Sequence, residues 1–210
     1  MRLGAVVPAA GRSRRMGRDK VLLPFGGSTM LETVLSKLRQ ANVERTVVVL
    51  RPDLPDADLR ARRAGAEVVM NPHPEGEMLV SIRLGIETLA SSVEAFFVWP
   101  ADHPAVRPET LRDLAARASR DLAIIPVYAG GRGHPALVGA GLVSEIAQIS
   151  PDEGLRQLWR KRVDAVRELS VEDPGILANL DDPEAYARAV RREEESRRER
   201  ARRVDSGKTE

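Results

Sequence analysis

The feature that most limits what this chain can fold into is the alternation of two hydrophobic patterns along its first 130 residues. Short apolar runs without helical period predict buried strands at Leu3 to Val7, Thr46 to Leu50, Glu67 to Met70, Ala95 to Trp99 and Leu122 to Val127. Between them lie segments with helical spacing. Thr29-Met30-Leu31-Glu32 is a capping-box pattern, after which Leu31, Val34, Leu35 and Leu38 share one face. Further helices are predicted from Pro55 to Ala64, stopped by Gly65, from about Met78 to Leu89, and after Pro108. A parallel crossover needs a dozen or more residues and usually uses a helix for them. The fold class expected is therefore α/β, a three-layer α/β/α sandwich with a Rossmann-like, mostly parallel sheet. Loops after successive parallel strands emerge along one edge of such a sheet, and segments 8–20, 71–77 and 100–104 meet that description.

Beyond residue 130 the pattern loosens into a Gly130-Gly131-Arg132-Gly133 turn and a helix near Leu142 to Ile149. Asp152 is a candidate cap for a helix from Glu153 to Arg160. Asp182-Pro183-Glu184 pairs an N-cap residue with Pro at the first helical position, which opens a last helix. With no internal repeat and no second core, residues 1–190 read as one domain and 191–210 as a charged tail, either a helical extension or disordered.

Composition narrows the chemistry. The absence of cysteine removes disulfide scaffolds, thiolate metal sites and cysteine nucleophiles. No apolar run approaches the roughly 18 residues of a membrane span, and no signal-peptide pattern opens the chain, so a cytoplasmic location without a membrane partner is expected. The sequence pI of 9.3 invites a nucleic-acid reading. Residues 1–190, however, carry 25 basic and 25 acidic residues, and the net charge of +2 belongs entirely to the last twenty. There Arg and Glu alternate in blocks, as in a solvated helix. No nucleic-acid partner is expected.

The first loop reads Pro8-Ala9-Ala10-Gly11-Arg12-Ser13-Arg14-Arg15-Met16-Gly17-Arg18-Asp19-Lys20. A glycine-containing loop leaving a strand can turn several backbone N–H groups towards one phosphate, with Arg15 and Lys20 adding charge; a solvated basic turn is the simpler alternative. Five residues separate Gly11 from Gly17 and Arg18 follows, so the Walker spacing fails, and Ser13 stands where the dinucleotide fingerprint needs its second glycine.

Ala9-Ala10-Gly11-x-Ser13-x-Arg15-Met16-Gly17-x-x-Lys20 resembles the signature loop of the MobA-like NTP transferase superfamily, and is most similar to its MocA-type cytidylyltransferase branch. Asn71-Pro72 with Met78-x-x-Ser81-Ile82-x-x-Gly85, Pro100-Ala101-Asp102-His103-Pro104, Gly133-His134-Pro135, Asp152-Glu153-Gly154 and Asp181-Asp182-Pro183-Glu184 follow in the family's order, so the resemblance spans roughly residues 3 to 188. It implies transfer of CMP from CTP to a phosphate of a small acceptor, a molybdopterin-type cofactor, with release of pyrophosphate and with Mg²⁺. A molybdoenzyme or its chaperone would be the partner downstream.

The resemblance also implies roles for individual residues. Ala9, Ala10, Gly11, Arg12, Ser13, Lys20, Asn71 and Ser81 would bind the nucleotide, with Lys20, Arg15 and Asp102 catalytic. Asp102 and Asp181 would hold Mg²⁺, a hard ion that takes one or two carboxylates and shares its remaining shell with water and phosphate. His103 and His134 would lie towards the acceptor. Ala10, where the guanylyltransferase branch typically has Gly, favours CTP over GTP. A sister family that makes cytidine-diphospho-methylerythritol shares the first loop, but its His-Asp-Ala-Ala-Arg stretch is absent at Pro100 to Pro104. Two residues depart from the pattern: Glu77 precedes Met78 where Gly is usual, and Pro8 replaces Leu.

Other readings stand beside these. Asp102 could simply turn the chain, Ser81 could cap its helix from inside, and His73 reads as an exposed loop residue. Trp99, at the end of an apolar strand, and Trp159 read as core or interface. The alternative functions are transfer to a sugar phosphate or other phosphorylated metabolite, and a non-catalytic nucleotide-binding protein that delivers a cofactor.

Overall fold

The computed structural model describes residues 1–12, 16–17, 19–89 and 91–206, with side chains through residue 198. Its main sheet is built from β1 (Leu3–Pro8), β4 (Arg45–Leu50), β5 (Glu67–Met70), β6 (Ala95–Val98), β7 (Ala123–Tyr128), β8 (Gly131–Arg132), β9 (Ala136–Gly139) and β10 (Val166–Ser170). A separate two-stranded hairpin joins β2 (Pro24–Phe25) to β3 (Ser28–Thr29). The main sheet runs β10-β7-β9-β6-β1-β4-β5, with β8 paired to β7. Strand pairs β1–β4, β1–β6, β4–β5 and β7–β10 are parallel.

Among the described residues seven α-helices accompany the strands: α1 (Met30–Gln40), α2 (Pro55–Arg63), α3 (Met78–Leu89), α4 (Pro108–Ala115), α5 (Val143–Ala147), α6 (Arg156–Lys161) and α7 (Pro183–Ser206). Side-chain alternation along the central strands sorts the two faces of the sheet. Ala5 and Val7 of β1, Val48 and Leu50 of β4, and Phe97 of β6 pack with α1, α2 and α4. Val6, Val47, Val49, Phe96 and Val98 face the other way, onto α3, α5 and α6. The three-layer α/β/α architecture is thus the one expected. Thr29 caps α1 in a complete capping box, and Asp182 caps α7 by accepting from the amide of Ala185 at 2.8 Å.

Gly85 of the second motif has a packing explanation. A Cβ added there would lie 2.4 Å from Val6 Cγ1, so the missing side chain lets α3 lie directly on β1.

The second half departs from expectation in three places. Strand β9 enters antiparallel between β6 and β7, and β10 extends the sheet beyond β7. The helix expected at 142–149 is a 3₁₀ turn at Ala140–Leu142 followed by the short α5. Asp152 does not cap a helix from Glu153 to Arg160. It lies within a 3₁₀ turn at Pro151–Glu153 and accepts from the Ser150 hydroxyl, and the positive φ of 61° at Gly154 breaks the chain before α6 begins. Helix α7 runs across residue 190 to Ser206. Tyr186, Ala189 and Val190 of that helix pack with Phe25, Met30 and Leu180, and the Tyr186 hydroxyl donates to the Pro24 carbonyl at 2.6 Å.

Candidate active site

The chain proceeds outward from β1 through β4 to β5, then returns to lay β6 on the other side of β1. The strand order therefore reverses between β1 and β6, and the crevice beyond their carboxyl ends is the position where open α/β sheets bind ligands. Residues 8–12 leave β1 and residues 99–103 leave β6 at this crevice. They are tied together by the Ala101 amide donating to the Pro8 carbonyl at 3.3 Å.

Two compartments open here. The first, about 170 Å³, is lined by Pro8, Ala9, Ala10 and Gly11, by Gly76 and Ser81 across from them, and by Lys20 and Asp102. The second, about 790 Å³, is lined by His103, His134, Arg156, Trp159 and Asp181, again with Lys20 and Asp102. The Lys20–Asp102 pair thus belongs to the wall that both compartments share.

Lys20 opens the 3₁₀ turn Lys20–Leu22 at the end of the first loop. Its Nζ lies 2.5 Å from Asp102 Oδ2 and 2.5 Å from Asp181 Oδ1, so one ammonium bridges two carboxylates that the chain brings from distant segments. Burial pulls the Lys20 pKa down, but Asp102, then Asp181, outweigh it and hold the amine above its ordinary value. Asp181 is placed by its neighbours. The amide of Leu180 donates to the Asp102 carbonyl at 3.0 Å, and Asn179 Nδ2 donates to Asp181 Oδ2 at 2.8 Å.

The other oxygen of Asp102, Oδ1, is buried and has no hydrogen-bond partner among the described residues. A buried carboxylate oxygen left unsatisfied is costly, and it is the kind of donor a hard cation completes. The carboxylates of Asp102 and Asp181 form an all-oxygen pair that could hold Mg²⁺ or Mn²⁺. Among the described residues no group of three or more His, Asp or Glu competes for a metal, so phosphate and water would have to supply the rest of the shell.

On the second compartment's side, His103 Nε2 lies 3.7 Å from Asp102 Oδ1, and the rings of His103 and His134 sit 4.7 Å apart. Burial lowers the pKa of both imidazoles, that of His134 to about 4 with a further push from His103. Both are neutral near pH 7, and each keeps a buried Nδ1 without a partner among the described residues.

Other residues singled out in the sequence are distributed as follows. Ser81 lines the first compartment and accepts from Asn71 Nδ2 at 2.9 Å. Asn71 itself is 1% exposed, stands behind Ser81, and accepts from the His73 amide. Arg12 is exposed at the start of the loop, whereas Ser13 and Arg15 lie outside the described residues. His73 is exposed. Trp99 is fully buried, with its indole N–H on the His103 carbonyl. Glu77 lines the second compartment and its neighbour Gly76 the first.

Sequence reasoning missed Arg51. Just past β4, this buried guanidinium donates to the Gly11 carbonyl at 3.0 Å and pairs with Asp19 and Asp53. It therefore grips both ends of the first loop, the segment leaving β1 and the residue that precedes Lys20. A basic residue directly after an apolar strand was the available signal, but nothing in the sequence said which loop it would reach.

The comparisons with known proteins agree with this geometry. The chain is 30% identical over 197 residues to a probable molybdenum cofactor guanylyltransferase of Mycobacterium avium, covering 90% of this chain and 95% of that protein. It is 25% identical over 191 residues to the molybdenum cofactor cytidylyltransferase of Escherichia coli, covering 90% and 96%. Against the bifunctional protein GlmU of Azorhizobium caulinodans it is 34% identical over 161 residues, 70% of this chain, and spans 35% of that longer protein. Among solved structures, Rv0371c of Mycobacterium tuberculosis superposes with a TM-score of 0.78 at 28% identity, covering 91% of this chain and 98% of that one. Its manganese complex gives a TM-score of 0.73 at 27% identity, covering 91% and 99%. The family described as MobA-like NTP transferase domain matches residues 5–166. With its crevice, its two compartments and this match in hand, the chain belongs to the MobA-like family of nucleotidyltransferases.

Proposed function

We propose that the protein transfers CMP from CTP to a phosphate of a molybdopterin-type cofactor in the cytoplasm, with Mg²⁺, and passes the product to a molybdoenzyme or its chaperone. The observation that carries this reading is the Lys20–Asp102–Asp181 cluster on the wall between the two compartments. An acceptor phosphate entering from one side and a triphosphate held on the other would meet there. An acceptor oxygen forms a bond to the α-phosphorus, the α–β bridging P–O bond breaks, and pyrophosphate leaves with the bridging oxygen. Such transfers depend chiefly on positioning and charge neutralisation.

In this reading Ala9, Ala10 and Gly11 form the nucleotide wall, and Ser81, oriented by Asn71, faces the base or ribose. Arg12, Ser13 and Arg15 serve the phosphates, while Lys20 neutralises the oxygens that gain charge. Asp102 and Asp181 would hold Mg²⁺, which would supply charge neutralisation at the phosphates. His103 and His134, neutral and lining the second compartment, offer hydrogen bonds to the acceptor. The methyl of Ala10 and the small volume of the first compartment favour a pyrimidine over a purine. Residues 1–190 are taken as the transferase body and 191–210 as an appended tail.

The test is pyrophosphate release with each NTP, with and without molybdopterin, in Mg²⁺. CTP with molybdopterin should give the highest rate, and Asp102→Ala should abolish it. Faster turnover of GTP would overturn the base assignment, an equally active Asp102→Ala variant the metal assignment, and preference for a sugar phosphate the acceptor.

A further inference from the structure

The second compartment carries side chains that the reaction above leaves unused. Arg156 and Arg160 stand one turn apart on α6, with Trp159 between them, and all three line the cavity. Neither guanidinium has a hydrogen bond or ion pair among the described residues. Nearby arginines are all engaged: Arg162 pairs with Glu145 and Asp164, Arg132 with Glu168, and Arg83 donates to the Ile146 and Ile149 carbonyls. Acidic side chains are not lacking either, because Glu77, Asp152 and Glu153 line the same cavity. The break at Gly154 takes Asp152 and Glu153 out of helical spacing with Arg156, and Asp152 instead accepts from Ser150. The indole of Trp159 packs its body on the core beneath, and its N–H has no partner among the described residues.

From Asp102 outward, the cavity thus presents an imidazole, a second imidazole whose electrostatic neighbours include Arg156, then two guanidiniums and an indole. The buried Nδ1 atoms of His103 and His134 are also unpartnered. The geometry points to Arg156, Arg160 and Trp159 as a second recognition element, which holds a planar heterocycle with carbonyl or anionic edges at the end of the acceptor remote from its reacting phosphate. This inference rests on the transferase reading above. Guanidinium forks donate to such edges and an indole stacks on such a face. A sugar ring can stack on an indole too, but it offers the two guanidiniums only neutral hydroxyls and no carbonyl or anionic edge. The volume of about 790 Å³ is several times what a phosphate needs and lies in the range, roughly 300–1,000 Å³, of sites that enclose an extended organic ligand.

Two readouts test it, with a pterin phosphomonoester as the probe and glucose 1-phosphate as the control. The chain has two tryptophans and Trp99 is fully buried in the opposite core, so ligand-dependent fluorescence reports Trp159. The pterin probe should quench emission saturably in the wild type and not in Trp159→Phe, and glucose 1-phosphate should quench neither. In turnover, the Arg156→Ala/Arg160→Ala variant should raise KM for the pterin acceptor by about tenfold or more, with KM for CTP within about twofold. An unchanged acceptor KM, equal rises in both KM values, or no quenching in the wild type overturns the inference. Saturable quenching through Trp159 without pyrophosphate release from any NTP overturns the transferase reading and leaves the ring site standing.

Discussion

Replacing Lys20 with Met tests the centre of the site, because Met keeps most of the aliphatic stem and removes only the ammonium. The wild-type side chain is 14% exposed and makes two hydrogen bonds of 2.5 Å, one to a carboxylate that is 10% exposed and one to a carboxylate that is 26% exposed. A hydrogen bond to a charged group contributes about 1.5–3 kcal/mol, and stranding one partner of a buried ion pair costs about 3–5 kcal/mol. Asp181 can rehydrate and Asp102 cannot, so the net loss should fall at about 2–4 kcal/mol, a drop in Tm of roughly 5–15 °C for a chain of this size.

Two dependences make the prediction specific. In the wild type the Lys20 pKa is raised, so its contribution is present below the ordinary lysine value and is lost as pH rises through the higher, folded one. Lys20→Met removes the ammonium that bridges Asp102 and Asp181, so lowering the pH should cost the variant less stability than it costs the wild type. Millimolar Mg²⁺ should also stabilise Lys20→Met more than the wild type, since the divalent ion meets no competing ammonium. Differential scanning calorimetry at two pH values, with and without Mg²⁺, reads all three effects. Identical Mg²⁺ shifts in both proteins, or a loss below about 1 kcal/mol, would refute the reasoning. Activity should fall by about 10²–10³-fold even where Mg²⁺ restores stability, because loss of one preorganised positive group at a developing charge typically costs that much.

Arg51→Met should raise KM for CTP by about 5- to 100-fold, corresponding to about 1–3 kcal/mol, because both ends of the first loop lose their tether. Steady-state kinetics check this, and an unchanged KM would show that the loop is ordered without the clamp. Gly85→Ala should destabilise by about 1–3 kcal/mol in urea melts, through overlap with Val6, while the per-site kcat of the folded fraction stays unaltered. Buried His134, with its pKa lowered from 6.5 to about 4, contributes stability above pH 6.5 that is lost as pH falls towards 4. His134→Asn should flatten that part of the stability–pH profile measured by thermal melts.

Much of the fold was legible because one hydrophobic period dictated each element. Strands β1 and β6, and β4 from Val47 to Leu50, are apolar on both faces, as strands covered by helices on both sides must be, and α1 announced itself by its capping box. Strand β9 was not legible. Four residues, Ala136 to Gly139, carry no alternation, and their antiparallel direction depends on a turn at 129–133 whose course the sequence leaves open. The helical spacing of 153–160 was real in sequence, yet Gly154 adopts a positive φ that an L residue resists, and the helix starts after it. In the site, motif spacing located Lys20, Asp102 and Asp181, but not that one ammonium would bridge both carboxylates. Arg51, Asn179 and the unpaired arginines of α6 became visible only once distant segments were brought together.

The Lys20–Asp181 contact also bears on the order in which the molecule is made. Its partners are 161 residues apart, against 82 for Lys20 and Asp102. Contacts of large sequence separation are closed late, because the entropy of the intervening chain must be given up first. During synthesis the amino-terminal elements also emerge before the carboxyl-terminal ones. The first compartment and the Lys20–Asp102 pair can therefore be in place while Asp181 is still unplaced. The site gains its second carboxylate only when Leu180 docks on the Asp102 carbonyl and α7 settles on the β2–β3 hairpin. Closure of the Lys20–Asp181 contact is thus expected late in folding, and a chain arrested before that step would hold the Lys20–Asp102 pair without its second carboxylate.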